Sequence, residues 1–469
     1  MTTPTEKLMK ELINATIKAE QNAIPSGSTE EVVLIKREID NSEKFHPSKK
    51  RFTTAKDRRE HRNKNFINRK GNRDDKELLE SKDDGKDSNE TKEPRKPKKK
   101  VAVLVGFCGT GYQGMQINPN AKTIEEDLFK AFVASGAVSK DNSDDPKKVG
   151  LMRAARTDKG VHAAGNLISL KISLLKINEN LPDQIRIWGY VKVIRSFHAK
   201  TLCDSRIYEY LLPTYVFIPS EKKSNSIVPN VNVNVFTDVP LATTEEMIEK
   251  RKYRISQKIL EYVRQGFKAY EGTHNYHNFT LGRNPQEKSC NRYIVNFQVG
   301  DPKMINDTEW VSLKVHGQSF MLHQIRKMVL MIVRTGTPIS LIANSFSQIK
   351  INIPRAPALG LLLERPVFNS YNRKSKDQGK EVIDYDLYQD QIDKFKDRFI
   401  YSKIFEEELA ENTFQNWLNS IDQHTERDYG YLNPEGVIPE SAIVKHGERQ
   451  KYYNDQADDD EKDEVVSDD

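Results

Sequence analysis

The sequence predicts an α+β fold for the central part of this 469-residue chain. Several short stretches alternate apolar and polar residues or are apolar throughout, which is typical of β-strands. Other stretches repeat apolar residues every three or four positions, which is typical of amphipathic helices. The two kinds of stretch are interleaved and joined by short connections, and this order favours an α+β domain over an all-β one.

The predicted strands begin at residue 101, where the polar character of the preceding chain ends. Residues 101–105 (Val-Ala-Val-Leu-Val) are apolar throughout and lead into a glycine-rich turn, as expected for a buried strand. Residues 168–174 alternate between apolar side chains and Ser169, Lys171 and Ser173, which predicts a strand with one buried face. Further strands are predicted at residues 185–193, 206–212, 293–299 and 310–315.

Capping signals and helical periodicity predict the helices. Thr123-Ile-Glu-Glu126 is a capping-box sequence, in which the Thr123 side chain accepts a hydrogen bond from the Glu126 amide. A second such box at residues 243–246 begins a helix whose basic residues continue to Arg264. The remaining helical patterns cover residues 320–334 and 385–422.

The two ends of the chain differ in composition from this central part. The whole chain is only 36% hydrophobic, and its net charge of +6 conceals local charges of +7 over residues 51–100 and −7 over residues 456–469. Residues 1–99 have too few apolar side chains to compensate the entropy of folding, so we predict a disordered basic arm there. Residues 426–469 are predicted to be a disordered, polar and acidic tail. Residues 101–455 keep a net charge of +6, which favours a polyanionic partner such as RNA.

Several classes of protein are excluded by the pattern of the sequence. No stretch approaches the roughly 18 to 20 apolar residues that span a bilayer, and the first residues lack a secretory signal pattern. Residues 92–100 form a basic run broken by prolines, which predicts nuclear import; a phosphate contact and a solvated linker are the alternatives. Cys108, Cys203 and Cys290 have no paired spacing, so we expect buried thiols rather than a disulfide framework or a zinc ribbon.

Residues 153–163, a turn-rich stretch before a predicted strand, contain the most informative acidic residue. Asp158 lies among three cations, Arg153, Arg156 and Lys159. Neighbouring cations lower the pKa of a carboxyl group and keep it ionised, which suits a nucleophile better than a proton donor. Taken alone, the pattern also fits an ordinary surface aspartate in a salt bridge.

The wider context favours the nucleophile, because six ordered segments resemble motifs of the TruA-type pseudouridine synthases. Arg156-Thr-Asp-Lys-Gly-Val-His162 resembles the catalytic motif of that family. Two of the other segments, at residues 271–280 and 354–364, resemble its eukaryotic, multisite-specific branch. The full set is residues 109–116 (GTGYQGMQ), 156–162 (RTDKGVH), 206–214 (RIYEYLLPT), 271–280 (EGTHNYHNFT), 320–328 (FMLHQIRKM) and 354–364 (PRAPALGLLLE).

This resemblance implies a fold and a domain organisation. The fold consists of two ferredoxin-like α/β subdomains that share an extended, mostly antiparallel sheet with a central RNA-binding cleft. Residues 100–215 are expected to form the subdomain that carries Asp158. Residues 216–425 are expected to form the second subdomain, which carries Arg326 and a C-terminal helical extension.

The resemblance also implies a reaction. The family isomerises uridine to pseudouridine, so the chain is expected to be a tRNA pseudouridine synthase that acts at several positions. Small nuclear RNA and mRNA are further candidate substrates. The isomerisation needs no redox step, so no cofactor is expected. We further expect a nuclear, monomeric protein that binds RNA and does not bind a membrane.

Four residues receive roles from the resemblance. Asp158 is implied as the nucleophile, attacking either ribose C1′ or uracil C6, and Arg326 as the cation that pairs with it. Tyr208 is implied to stack on the target base and is a candidate for removing its C5 proton. Arg156 is implied to support the base once it is flipped out of the RNA stem, with a phosphate contact or a structural ion pair as the alternative. Tyr210 is expected to be an ordinary sheet aromatic.

Three other interpretations remain open. His274 and His277 have a spacing that can hold a metal ion; we expect no metal site, but a structural zinc remains the alternative. A nonenzymatic tRNA-binding chaperone would use the same cleft, although a binder has no need of a carboxylate that repels RNA phosphate. A nuclear scaffold that acts through its two ends is the third interpretation, and the intact motifs count against it.

Overall fold

A ten-stranded mixed sheet forms the centre of the protein. The computed structural model describes residues 98–172, 177–219, 241–333, 338–423 and 428–445. The predicted basic arm lies almost wholly outside these ranges, and so does the most acidic part of the predicted tail. The strands are β1 (Lys99–Phe107), β2 (Met152–Arg153), β3 (His162–Ile172), β4 (Ile185–Lys192), β5 (Ser205–Pro213), β6 (Gly272–Asn275), β7 (Asn291–Val299), β8 (Lys303–Ile305), β9 (Thr308–Gly317) and β10 (Leu361–Val367).

Helices are interleaved with these strands, so the predicted α+β class is confirmed. A π-helical turn at Lys396–Tyr401 joins two of them, the helices at Gln389–Phe395 and Ser402–Glu411. In the described ranges the helices are α1 (Ile124–Ala134), α2 (Thr244–Arg251), α3 (Gln257–Lys268), α4 (Gln324–Val333), α5 (Ser340–Ser345), α6 (Asn369–Asp377), α7 (Gln389–Phe395), α8 (Ser402–Glu411) and α9 (Thr413–Gln423). None of them is long and apolar enough to cross a membrane.

Eight strands follow one path across the sheet, in the order β4, β1, β3, β10, β5, β9, β7 and β6. β2 pairs with β3, and β8 pairs with β9. Among the described strands every pairing is antiparallel except that of β3 with β10, which is parallel at His162 and Ala163. The sheet is therefore mostly antiparallel, and its parallel contact follows closely on Asp158 in the chain.

Most of the predicted strands are present, but one has a different environment. The predictions at residues 101–105, 185–193, 206–212, 293–299 and 310–315 are confirmed as parts of β1, β4, β5, β7 and β9. The strand predicted at residues 168–174 is confirmed as part of β3 up to Ile172, and residues 173 and 174 lie outside the described ranges. Lys171 is exposed, as a single buried face predicts, but Ser169 is as completely buried as its apolar neighbours. Its hydroxyl accepts from the Ala199 amide at 3.4 Å, since the chain between β4 and β5 covers this side of the sheet.

The capping box at residues 123–126 correctly predicts the start of α1, but its hydrogen bond does not form. The Thr123 side chain is fully buried and caps no amide of the helix. Instead the first amides of α1, those of Ile124 and Glu125, donate to the carbonyls of Gly114 (3.2 Å) and Met115 (3.0 Å). Backbone atoms of the preceding loop therefore replace the predicted side-chain cap.

The box at residues 243–246 forms its predicted hydrogen bond, 3.2 Å long, at the start of α2. The prediction that this helix continues to Arg264 is wrong, because α2 ends at Arg251 and α3 begins after Ser256. The Ser256 side chain caps α3 by accepting from the Ile259 amide at 3.3 Å. The basic residues are thus divided among the two helices and the short segment between them.

In each of the two other predicted helices, one residue with a left-handed backbone conformation interrupts the helix or delays its start. The pattern at residues 385–422 is confirmed as helical, but Asn412, with φ of +50°, separates α8 from α9. The helix predicted from residue 320 begins only at Gln324, because His323 has φ of +61° and cannot belong to a right-handed helix. This irregular residue lies beside Asp158, as described below.

The prediction of a disordered tail from residue 426 is wrong for residues 428–445. Tyr431 is fully buried, and its hydroxyl donates to the Asn352 carbonyl at 2.8 Å. Ile443 forms a β-bridge with Ile351, next to a backbone hydrogen bond of 2.8 Å from Val444 to Lys350. A few apolar anchors in a polar sequence are sufficient to fix this segment on the domain.

The three cysteines are free thiols, as predicted. Cys108 and Cys290 are buried, whereas Cys203 is half-buried. Burial raises the pKa of all three thiols, which keeps them protonated and poorly reactive.

Candidate active site

Asp158 lies in the segment between β2 and β3, residues 154–161, which we call the Asp158 loop. β3 begins directly after this loop at His162, which pairs with Leu362 of the central strand β10. The Asp158 side chain is 34% exposed, so a ligand can reach its carboxylate. The loop therefore presents an accessible acid at the end of the central strands.

A second loop, the opening segment at residues 109–116, holds the Asp158 loop in place. The Met115 amide donates to the Thr157 carbonyl at 3.1 Å, and the Gly160 amide donates to the Tyr112 carbonyl at 3.2 Å. These bonds bracket Asp158 on both sides along the chain. The opening segment, which resembles a family motif, therefore positions the acid through its backbone.

Two glycines of the opening segment permit this close contact. A Cβ atom on Gly114 would lie 2.8 Å from the Thr157 carbonyl oxygen, and φ at Gly114 is +96°, which other residues rarely adopt. A Cβ atom on Gly109 would collide with the Val161 carbonyl. Glycine at both positions lets the two backbones pack directly against each other.

Arg153, one of the three cations near Asp158 in the sequence, has a different partner. Its Nε and Nη2 atoms donate to the two carboxylate oxygens of Glu125, at 2.8 and 2.9 Å. The Glu125 side chain is 1% exposed, so this is a buried bidentate ion pair. The expectation that Arg153 acts on Asp158 is therefore wrong; it fastens the start of the Asp158 loop to α1.

Arg156 is exposed. A residue of β5 holds the backbone that precedes it. Arg206 of β5 donates from Nε and Nη2 to the Ala154 carbonyl, at 3.2 and 2.7 Å. The exposed position leaves Arg156 accessible to a ligand, and its contact with a flipped base stays a prediction. Arg206 was not predicted as a site residue, although it begins the 206–214 segment.

Cations from distant parts of the chain set the charge state of Asp158. Burial raises the pKa of this carboxyl group, but the hydrogen bond of His323 and the positive charges around it, including those of Arg326 and Arg355, outweigh burial. The pKa is therefore held below its ordinary value. Asp158 is ionised, as the sequence predicted, but through residues other than its sequence neighbours.

Arg355 and His323 form a chain of polar contacts that ends at Asp158. Arg355 Nη1 lies 2.9 Å from His323 Nε2, and His323 Nδ1 lies 3.3 Å from Asp158 Oδ2. Sequence analysis missed both residues. The available signal was their place within the 320–328 and 354–364 segments, of which only Arg326 had been singled out.

Arg326 lies in the first turn of α4 and is buried. Its Nε donates to the Ala356 carbonyl at 2.5 Å, and its charge lowers the pKa of Asp158. The structure therefore brings Arg326 into electrostatic contact with the acid that it was predicted to serve.

Tyr208 of β5 is 9% exposed and packs edge-to-face on Phe320, with ring centroids 5.2 Å apart. Burial raises the pKa of its hydroxyl to about 12; the charge of Arg206 opposes this shift and that of Asp158 adds to it. Tyr208 is thus a neutral phenol within electrostatic range of the acid. Tyr210 donates to the Pro357 carbonyl at 2.7 Å and packs on Phe414, as a sheet aromatic would.

The two histidines with metal-like spacing are engaged in other contacts. His274 Nε2 lies 2.9 Å from the Glu271 carbonyl, and its ring stacks on Phe346 at 4.3 Å. His277 uses both ring nitrogens, at 3.1 Å each, towards the Asn275 side chain and the Ile349 carbonyl. Over the described ranges no cluster of three or more histidine, cysteine or acidic residues could hold a metal ion.

This arrangement suits nucleophilic chemistry on a ring-containing ligand. An ionised and accessible carboxylate attacks electron-poor carbon, and the surrounding cations keep it from being protonated. A neutral aromatic side chain nearby offers a stacking surface. A general acid would instead require a carboxyl group with a raised pKa.

Comparison with known proteins agrees with these motifs. A family model described as tRNA pseudouridine synthase matches residues 267–369. The tRNA pseudouridine synthase 1 of Yarrowia lipolytica is 42% identical over an alignment that covers 74% of this chain and 79% of that protein. The Saccharomyces cerevisiae protein of the same name is 44% identical, covering 71% of this chain and 72% of its own length. The mouse pseudouridylate synthase 1 homolog is 37% identical, covering 71% and 76%.

The ordered motifs, the ionised acid and the extent of these alignments lead to one assignment. The chain belongs to the TruA-type tRNA pseudouridine synthase family, which is a family of isomerases.

Proposed function

We propose that this protein converts uridine to pseudouridine at several positions in tRNA, with Asp158 as the nucleophile. One observation carries the proposal: the accessible Asp158 carboxylate is kept ionised by His323, Arg326 and Arg355. No other function considered for the chain requires such a group. The names of the related proteins support tRNA as the substrate.

The reaction breaks the bond between uracil N1 and ribose C1′ and rejoins C1′ to uracil C5. In one route Asp158 bonds to C1′ while the N1–C1′ bond breaks, and the base leaves as an anion. After the base turns, C5 attacks C1′, the carboxylate leaves, the C5 proton is lost and N1 gains a proton. In the other route Asp158 adds to uracil C6 as the C5–C6 π bond breaks and its electrons move towards O4. The N1–C1′ bond then breaks, C1′ rejoins C5, the carboxylate leaves C6 as the C5 proton is lost, and N1 gains a proton. Either route begins with an ionised carboxylate, and the nearby arginines favour the negative charge that develops on the base.

Tyr208 acts in this proposal as the stacking partner of the target base. Its pKa of about 12 makes the phenolate scarce at neutral pH. A neutral phenol stacks and donates a hydrogen bond, and it removes the C5 proton only after losing its own. The stacking role therefore has the stronger physical support.

The target uridine must leave its RNA helix to reach Asp158. Arg156, which is exposed and lies two residues before Asp158, is the proposed support for the flipped base. The net charge of +6 over residues 101–455 favours binding of the RNA backbone along a central cleft. Recognition by backbone shape would allow one enzyme to act at several sites, and it leaves small nuclear RNA and mRNA as further substrates.

The two-subdomain organisation, with subdomains at residues 100–215 and 216–425, is also part of the proposal. The strand path supports it only at its two ends, β4–β1–β3 and β9–β7–β6, because β10 of the second range lies between β3 and β5 of the first. The enzyme is proposed to act as a monomer in the nucleus without a cofactor. Lys99 and Lys100 belong to β1, so an import signal in the basic run would use the residues before them.

A nonenzymatic tRNA chaperone is the competing function, and Asp158 separates the two. Asp158→Ala is expected to abolish pseudouridine formation on tRNA transcripts, as measured by chromatographic separation of the nucleosides from the digested RNA, while tRNA binding persists. Wild-type protein that binds tRNA and forms no pseudouridine would favour the chaperone. An active Asp158→Ala variant would show that the nucleophile is wrongly assigned.

A further inference from the structure

We infer that His323 is a positioning residue, which takes a hydrogen bond from Arg355 and gives one to Asp158. This inference rests on the proposed role of Asp158 as the nucleophile. It is carried by the two contacts of the imidazole ring, one at each nitrogen, and by the backbone conformation that holds the ring between its partners.

The contact with Arg355 determines which ring nitrogen of His323 carries the proton. A guanidinium group has five N–H donors and no acceptor, so Arg355 Nη1 can only donate across the 2.9 Å to Nε2. Nε2 therefore accepts and carries no hydrogen. The proton of the neutral ring is on Nδ1, which faces Asp158 Oδ2 at 3.3 Å. The imidazole thus donates to the carboxylate.

This arrangement differs from an ordinary ion pair between histidine and aspartate. In a protonated imidazole both ring nitrogens are donors, and Nε2–H would then oppose an arginine N–H at hydrogen-bond distance. Arg355 therefore favours an Nε2 that carries no hydrogen. Asp158 then faces a donor of fixed direction.

The backbone at His323 is held in a costly conformation, which indicates that the position of the ring matters. Its φ of +61° is rare for residues other than glycine, and histidine tolerates it better than most. The His323 carbonyl accepts the first hydrogen bond of α4, from the Lys327 amide at 3.0 Å. The left-handed turn therefore leads directly into the helix that carries Arg326.

Arg355 is fixed to the same helix by its neighbour Ala356. The Ala356 amide donates to the Arg326 carbonyl at 3.1 Å, and Arg326 Nε donates back to the Ala356 carbonyl at 2.5 Å. This pair of hydrogen bonds joins the segment that precedes β10 to the first turn of α4. His323, Arg326 and Arg355 thus form one unit that faces Asp158.

The test compares two substitutions that both accept a left-handed backbone. His323→Asn places an amide N–H donor near the position of Nδ1 but removes the link to Arg355, whereas His323→Gly removes both contacts. We expect the single-turnover rate of pseudouridine formation on a tRNA transcript to fall about 100-fold in His323→Gly, because a misplaced nucleophile has an effect of that size. His323→Asn should lose only about fivefold, as for one ordinary hydrogen bond.

Three further measurements complete the test. The dissociation constant for tRNA and the melting temperature should be the same in both variants, so that the difference lies in the chemical step. Arg355→Ala should slow the wild type more than it slows His323→Asn, where the link is already broken and only the charge of Arg355 remains to be lost. The inference is overturned if His323→Gly keeps the wild-type rate, if both variants are equally slow, or if Arg355→Ala slows both backgrounds equally. Wild-type protein without activity would instead overturn the proposed function.

Discussion

Two clusters of charged residues lie on opposite sides of β5. Successive residues of a strand point to opposite faces, and Tyr208 lies within range of Asp158 while Glu209 contacts Lys396. The active-site cluster consists of Asp158, His323, Arg326 and Arg355. The rear cluster consists of Glu209, Glu364, Lys396 and Tyr401.

The charged residues of the rear cluster contact one another. Lys396 Nζ lies 3.0 Å from Glu209 and 2.7 Å from Glu364, and the Tyr401 hydroxyl donates to Glu209 at 2.7 Å. The Ser312 hydroxyl also donates to Glu209. The π-helical turn that begins with Lys396 and ends with Tyr401 brings both residues to the same carboxylate. These contacts fasten the C-terminal helices to the back of the sheet.

The comparison shows that a lowered carboxyl pKa does not identify a catalytic residue. Burial raises the pKa of Glu209, but Lys396, Ser312 and Tyr401 outweigh burial and lower it, much as other residues lower that of Asp158. The two acids differ in exposure, since the Glu209 side chain is 3% exposed and that of Asp158 is 34% exposed. The acid that is proposed to react is the one that a substrate can reach.

The largest expected effect separates activity from stability at the active-site cluster. Asp158→Asn preserves the shape of the side chain but removes the nucleophile, so the single-turnover rate should fall at least about 10³-fold. The free energy of unfolding should change by no more than about 2 kcal/mol. Single-turnover kinetics and urea unfolding measure the two effects. A variant that is inactive only because it is unfolded would remove the distinction between the clusters.

The reverse pattern is expected at the rear cluster. Lys396→Met leaves Glu209 and Glu364 buried without their cation, which should lower the free energy of unfolding by about 3 to 5 kcal/mol. The rate per folded molecule should stay close to that of the wild type. Lys394→Met, at an exposed position in α7, is the matched control. If Lys396→Met stays fully stable yet loses activity, the rear cluster belongs to the catalytic machinery.

Another buried carboxyl group, that of Glu408 on α8, sharpens the comparison because burial outweighs the groups that would keep it ionised. Burial raises the pKa of Glu408 to about 7, although hydrogen bonds from Tyr215 and Phe414 oppose the shift. The folded state therefore keeps a proton that the unfolded state loses above its ordinary value of 4.5. Stability should fall by up to about 3 kcal/mol as the pH rises from 4.5 to 7.

Glu408→Gln tests this pH dependence. The variant cannot ionise, so the part of the fall that belongs to Glu408 should disappear, while loss of the Phe414 hydrogen bond lowers stability at every pH by about 1 kcal/mol. Glu406→Gln, on the exposed side of α8, should keep the wild-type profile. Urea unfolding at pH 5 and pH 8 measures the difference. If the free energy of unfolding of Glu408→Gln falls between pH 5 and pH 8 as much as that of the wild type, another group is responsible for the pH dependence.

Local patterns predicted much of the fold but not the environment of each element. Alternation located β4, β5, β7 and β9, because cross-strand packing repeats every two residues. Alternation did not predict that Ser169 is buried, since the chain between β4 and β5, which is distant in sequence, covers that face of the strand. It also missed β10, whose sequence Leu361–Val367 includes a glutamate, an arginine and a proline.

The identity of the acid was predictable from the sequence, but its partners were not. The motif that resembles the family identifies Asp158. Arg153, which was expected to act on Asp158, instead forms an ion pair with Glu125. His323 and Arg355 reach Asp158 through tertiary packing and a left-handed turn, for which residue spacing gives no signal. The sequence therefore identified the acid that is proposed to react but not the residues that surround it.

The smallest expected effect concerns the glycines that support the Asp158 loop. Gly114→Ala must accept φ of +96° and place a Cβ atom 2.8 Å from the Thr157 carbonyl, so the loop next to Asp158 has to move. Gly111→Ala meets a similar φ of +82° but has open space around the new atom. Both should lose about 1 kcal/mol of stability from backbone strain. Only Gly114→Ala should also lose catalytic rate per folded molecule, because it displaces the loop that holds the nucleophile. Equal rates in the two variants would show that the active-site cluster tolerates movement of this loop, and that its geometry is fixed by α4 alone.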